Sequence, residues 1–205
     1  VWVAEGAALD GSLAGFDVSA PLELSDEHQY FRSETPYAGA DEFSATAYVN
    51  WTDDDLYLAV EVTKADVIIR PDDAEPLGLD NEPADLNADG IQVHWRDVSG
   101  QLHGILVRPA ANGELRTRAL GKTATTARGR WRTDRNGYRL TIALHSPGLA
   151  ALRRGEQLPF DLIVNEMRPG RTRRAGQLIW SGGPGWVYLR GDRHDPAAFG
   201  ALSLS

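Results

Sequence analysis

Cysteine is absent from the chain. Its absence excludes disulfides, thiol nucleophiles and cysteine-held zinc or iron–sulfur centres together, without fixing the redox compartment. Long apolar runs are absent too. No stretch approaches the ~20 residues that a bilayer-spanning helix needs, so no membrane partner is expected. The start at Val1 has neither a Met nor a basic region followed by an apolar run. It reads as a mature or excised domain whose export signal has been left out, and a secreted, periplasmic or cell-surface location is expected. Positive charge is in deficit: 21 Lys and Arg stand against 29 Asp and Glu. The resulting net charge of −8 repels a phosphate backbone, so nucleic acid is not an expected partner. The sequence also lacks a Gly-x-Ser-x-Gly elbow and a His-Glu-x-x-His pair. Its acidic residues gather in turns, and independent catalysis is not expected.

What is present is alternation. Leu56, Leu58, Val60 and Val62 fall on one face of Leu56–Val62, and Ile91, Val93 and Trp95 on one face of Ile91–Trp95. Tyr138–Leu144 and Phe160–Val164 repeat the pattern. Each run predicts an antiparallel strand that is dry on one side and wet on the other. Thr52-Asp53-Asp54-Asp55 predicts a hairpin between Trp51 and Leu56, while Asn112-Gly113 and Asn136-Gly137 are further turn signals. Only Ser146–Arg154 reads as helix, with Ser146 as cap, Pro147 in the first turn and Gly155 as stop. With 42% apolar residues in 205, these elements predict a single all-β domain over 1–205. The expected architecture is an antiparallel two-sheet β-sandwich, jelly-roll or immunoglobulin-like, with one short helix. His28–Asp41 and Pro71–Asp89 do not fit strands and are expected to be long functional loops.

Several clusters invite chemistry. Asp85-Leu86-Asn87-Ala88-Asp89-Gly90 matches the first half of a calcium loop, with alternate oxygens at Asp85, Asn87 and Asp89 and a glycine for the sharp turn. Asp80 and Glu82 are available to complete the shell, and the bland alternative is an acidic turn closed by glycine. Arg128, Arg130, Arg132 and Arg135 form one basic group, and Arg168, Arg171, Arg173 and Arg174 another. They suit either an anionic-sugar groove or a solvated edge.

Six pieces spread over the chain resemble family 9 carbohydrate-binding modules. They are Leu9-Asp10-Gly11 with Phe16; Val49-Asn50-Trp51 through Leu58; Asp89-Gly90-Ile91-Gln92-Val93; Gly137-Tyr138 through Ile142; Val164-Asn165-Glu166 followed by Ile179-Trp180-Ser181; and Phe199-Gly200-Ala201-Leu202. The resemblance implies a sugar-binding β-sandwich, usually taking chain ends. It also implies structural calcium and attachment to a polysaccharide-degrading catalytic domain. In that family a sugar ring lies between two Trp side chains. Trp180 stands where one of them would be, Leu86 replaces the other, and Gln92 replaces the acidic residue that hydrogen-bonds the sugar.

A pyranose stacks its C–H face on an aromatic ring and offers its hydroxyls to amides and guanidinium groups at the edge. Trp51 and Trp95 alternate with core residues and are expected inside. Trp180 opens a glycine-rich stretch that ends in Trp186, and Gln92, His94, Arg108 and Asn165 point away from their strands' apolar sides. The expected sugar site is therefore Trp180 with Gln92, Arg108 and Asn165, and Trp186 as a substitute second wall. Two alternatives stay open. One is a haem-binding sandwich using Met167 with His94 or His103, although no haem attachment motif is present. The other is a degenerate spacer that packs on a catalytic domain.

Overall fold

Alternation turns into strands at all four expected positions in a computed structural model that describes residues 1–31, 35–71, 84–120, 124–150, 152–182 and 196–205. The strands are β1 (Leu22–Leu24), β2 (Tyr30–Phe31), β3 (Ser44–Trp51), β4 (Asp55–Thr63), β5 (Gly90–Arg96) and β6 (Leu102–Pro109). They continue as β7 (Leu115–Ala119), β8 (Thr126–Asp134), β9 (Gly137–His145), β10 (Gln157–Glu166), β11 (Gly176–Ile179) and β12 (Gly200–Ser203). A five-stranded sheet runs β1-β3-β4-β9-β8, and a seven-stranded sheet runs β2-β11-β10-β5-β6-β7, with β12 also on β10. Every pairing between these strands is antiparallel.

The inward residues of both sheets meet in one core. Leu56, Leu58, Val60 and Val62 of β4 and Leu140, Ile142 and Leu144 of β9 face Ile91, Val93 and Trp95 of β5 and Phe160, Leu162 and Val164 of β10. Each such side chain contributes about 1.5–3 kcal/mol of transfer free energy. The acidic hairpin forms as expected, because the Thr52 hydroxyl accepts from the amides of Asp54 and Asp55 and closes the turn between β3 and β4. A second, smaller apolar cluster lies outside the five-stranded sheet. There Ala7, Leu9, Leu13 and Phe16 cover Tyr57, Ala59 and Ala143. The Gly11 amide donates to the Thr141 hydroxyl at 2.9 Å, and the Asn50 amide bridges the Gly15 carbonyl and the Asp17 amide. This is what the Leu9-Asp10-Gly11 and Phe16 pattern does physically.

Three expectations change. Ser146–Arg154 is not a helix; its described residues form successive turns, Leu149 donating to Ser146 and Leu152 to Leu149. The Ser146 hydroxyl, needed as a helix cap, lies instead against His103, and Gly148 follows Pro147 where a helix needs a better former. Part of His28–Asp41 is ordered as β2, which extends the seven-stranded sheet beside β11. The third concerns the outward face of β5 and β10, which is buried rather than wet: Gln92, His94, Asp161, Ile163 and Asn165 are all covered.

Candidate functional site

Strand register builds the outward face of the seven-stranded sheet. Gln92 lies opposite Ile163 on one side and Leu106 on the other, Asn165 opposite Gln177, and Arg108 opposite Arg116. Gln92, Asn165 and Arg108 therefore share one face, as the alternation implies. The amides are bonded to each other. Gln92 Nε2 donates to Asn165 Oδ1 at 3.1 Å, Gln177 Nε2 donates to the same oxygen at 2.7 Å, and Asn165 Nδ2 donates to the Leu86 carbonyl at 3.3 Å. Asn165 is completely buried, and Gln92 keeps 5% of its surface. Buried amides must be hydrogen-bonded, and here Gln177 and the Leu86 carbonyl hold Asn165, which in turn holds Gln92. Asn165 is thus a residue that positions Gln92, its oxygen already taken twice. Arg108 is half-buried beside this row. Gln177 escaped the sequence reading; its signal was alternation with Leu178 in the short strand before Trp180.

Trp180 does not join that face. Ile163 pairs with Ile179, so Trp180, one residue further, falls on the Leu162 side, toward the core. Its amide donates to the Leu162 carbonyl, and its half-buried ring meets Phe160 edge-on at 6.0 Å between centroids and covers Gly200. The sheet separates it from Gln92 and Asn165. Trp186 lies outside the described residues. Trp51 and Trp95 are core residues, as expected.

The acidic turn is drawn to protein cations. Arg118 grips Asp85 with two bonds of 2.5 and 2.8 Å, and the Arg174 amide donates to Asn87 Oδ1 at 3.0 Å. Asp89 accepts from Lys64 Nζ at 2.6 Å, from the Ile68 amide at 2.6 Å and from the Met167 amide at 2.9 Å. Burial pushes the Asp89 carboxyl above its ordinary range, and Lys64 is the largest opposing influence. Asp85, Asn87 and Asp89 in this arrangement do not fit a calcium shell, because protein donors occupy the oxygens a cation would need. Among the described residues no group of three acidic or imidazole side chains is placed to hold a metal. Asp80 and Glu82 lie outside the described residues.

One cluster imitates a catalytic relay. His103 Nε2 lies 2.7 Å from Asp97 Oδ2, and Ser146 Oγ lies 3.2 Å from His103 Nδ1. Its chemistry is closed off: Ser146 is completely buried, His103 nearly so, and the imidazole stacks on Trp95 at 5.2 Å. A substrate carbonyl has no approach to that hydroxyl, and both imidazole nitrogens are engaged, which also denies His103 to a haem iron. Met167 is buried beside Lys64, and His94 lies on the outward amide face. The two arginine groups are separated, the first on exposed positions of β8 and the turn after it, the second in the connection between β10 and β11.

No protein-family model matches the chain, and neither does any curated protein. Solved structures do match. A family 9 carbohydrate-binding module from Caldicellulosiruptor kristjanssonii in complex with cellotriose aligns with a TM-score of 0.61 at 15% identity, covering 99% of this chain and 92% of that one. The same organism's family 9 module in complex with glucose aligns with a TM-score of 0.63 at 16% identity, covering 100% and 95%. The shared feature is the fold, a family 9-like sandwich along the whole described chain.

Proposed function

We propose that this chain is a non-catalytic carbohydrate-binding domain that takes sugar on the outward side of its seven-stranded sheet, at half-buried Arg108 and the small part of Gln92 left uncovered. The observation that carries the reading is the buried amide row. A merely solvated face would leave Gln92 free, whereas Asn165, itself held by Gln177, bonds it beside Arg108. Such planar groups read vicinal hydroxyls with two hydrogen bonds at once. The fold that carries this row holds glucose and cellotriose in the two solved modules, which supports the same ligand class here. Stacking is assigned to Trp186, on its place in the glycine-rich run from Ser181, because Trp180 is committed to the core side. With one ring and few hydroxyl contacts, affinity is expected on the order of 10–1000 μM. An export route, a companion catalytic domain and an accessory role in polysaccharide degradation belong to the same proposal.

The test is affinity electrophoresis through gels containing soluble glucans, xylans, mannans and uronate polymers. Retardation by at least one polymer, lost in Gln92→Ala and Trp186→Ala with melting temperature kept, is the expected result. Migration unaffected by every polymer would leave the spacer reading in its place.

A further inference from the structure

The segment Asp85–Gly90 has the oxygen spacing of a cation-binding turn and, in this fold, a cation of its own. We infer that Lys64 is that cation: its ammonium neutralises Asp89 while Arg118 holds Asp85, and the segment is held without calcium. Lys64 Nζ lies 2.6 Å from Asp89 Oδ1 and 2.7 Å from the Met167 carbonyl, both short charge-assisted hydrogen bonds. The two side chains retain only 5% and 0% of their exposure, so the charge pair is shut away from water.

Position explains why such a pair belongs here. Lys64 follows β4 of the five-stranded sheet directly, Asp89 precedes β5, and Met167 follows β10, both of the seven-stranded sheet. The Lys64 amide also donates to the Asn136 carbonyl in the turn between β8 and β9. One ammonium therefore ties both sheets together at one end of the sandwich, a task that a metal ion performs elsewhere by gathering oxygens from several loops. The choice of residue agrees. Only two of the 21 basic residues are Lys, and one of them occupies the buried site. An ammonium is a compact point charge with three rotatable donors, which suits two oxygens that come from different loops. The inference does not depend on sugar binding.

The experiment compares wild type, Lys64→Met, Asp89→Asn and the double variant, each in chelator and in millimolar calcium chloride, by thermal melting and by amide hydrogen exchange at Ile68 and Met167. Wild type is expected to melt within about 1 °C in both solutions, with unchanged exchange at the two amides. Lys64→Met strands a buried carboxylate and should lower the melting temperature by roughly 6–20 °C. The double variant should melt above Lys64→Met, because an amide needs no counter-charge. Three results overturn the inference: calcium slowing exchange at Ile68 or Met167 in wild type, Lys64→Met melting like wild type, or the double variant losing the sum of the two single losses. If Lys64→Met does not fold, the wild-type comparison decides alone.

Discussion

Replacing Trp180 by Ala separates two placements of this ring that have opposite consequences. A ring exposed for stacking would contribute little to stability and much to binding. The structure instead sets it across Phe160 and over Gly200, on the core side of β11. Truncating a fully buried Trp costs about 3–5 kcal/mol through lost transfer energy and the cavity left behind. Trp180 is half-buried, which scales the loss to about 1.5–3 kcal/mol. For a chain of this length each kcal/mol moves the melting temperature by about 2–4 °C, so the variant should melt about 3–12 °C lower. Calorimetry or circular dichroism, with urea unfolding to check that the transition stays two-state, measures it directly. A variant that melts with wild type but no longer retains any polysaccharide would refute the placement and return Trp180 to the binding face.

Other consequences are smaller and independent. Burial opposes ionisation of Asp97, but hydrogen bonds from Ser99, His103 and Gln101 prevail and hold its carboxyl at about 2. Its stabilisation is therefore fully present above the unfolded value of about 3.9 and lost as pH falls toward 2. Urea midpoints measured from pH 6 to pH 2 should fall across that window in wild type and much less in Asp97→Asn. Gly90 has φ +146°, and a Cβ there would run into the Val107 carbonyl of β6. Gly90→Ala should cost about 1–3 kcal/mol in urea unfolding, and an unchanged midpoint would contradict that close approach. Thr141→Val removes the buried acceptor of the Gly11 amide. The expected loss is about 1–3 kcal/mol, with faster proteolysis of the segment before Phe16.

The four main strands were legible because period-two runs such as Leu56–Val62 have one reading when core residues lie on one side only. β2 was not legible, since two residues carry no period and its existence depends on β11 lying beside it. Ser146–Arg154 had helix punctuation, but Ser146 was claimed by His103, a partner far away in sequence. The site was half legible. Alternation correctly put Gln92, Arg108 and Asn165 on one face, yet it could not show that this face is buried and internally bonded. Trp180 was misplaced through its likeness to a Ser-Trp-Ser signature, although parity with Leu178 already pointed it inward. Lys64 carried no signal beyond being a solitary Lys after a strand. Its partner Asp89 lies beyond a long loop, and only the folded chain joins them.

A sugar held at Gln92 on the outward side of the sheet would show in nitrogen-15 NMR of the side-chain amides during titration with cellotriose. Gln92, Asn165 and Gln177 are linked through one oxygen, so ligand contact at Gln92 should move all three amide signals together, saturating in the 10–1000 μM range or just above. The Trp180 indole should stay within the smaller shifts of the core. Amide signals that remain fixed while another part of the chain responds, or while a sugar whose polymer retards the protein in gels is added, would place the sugar elsewhere.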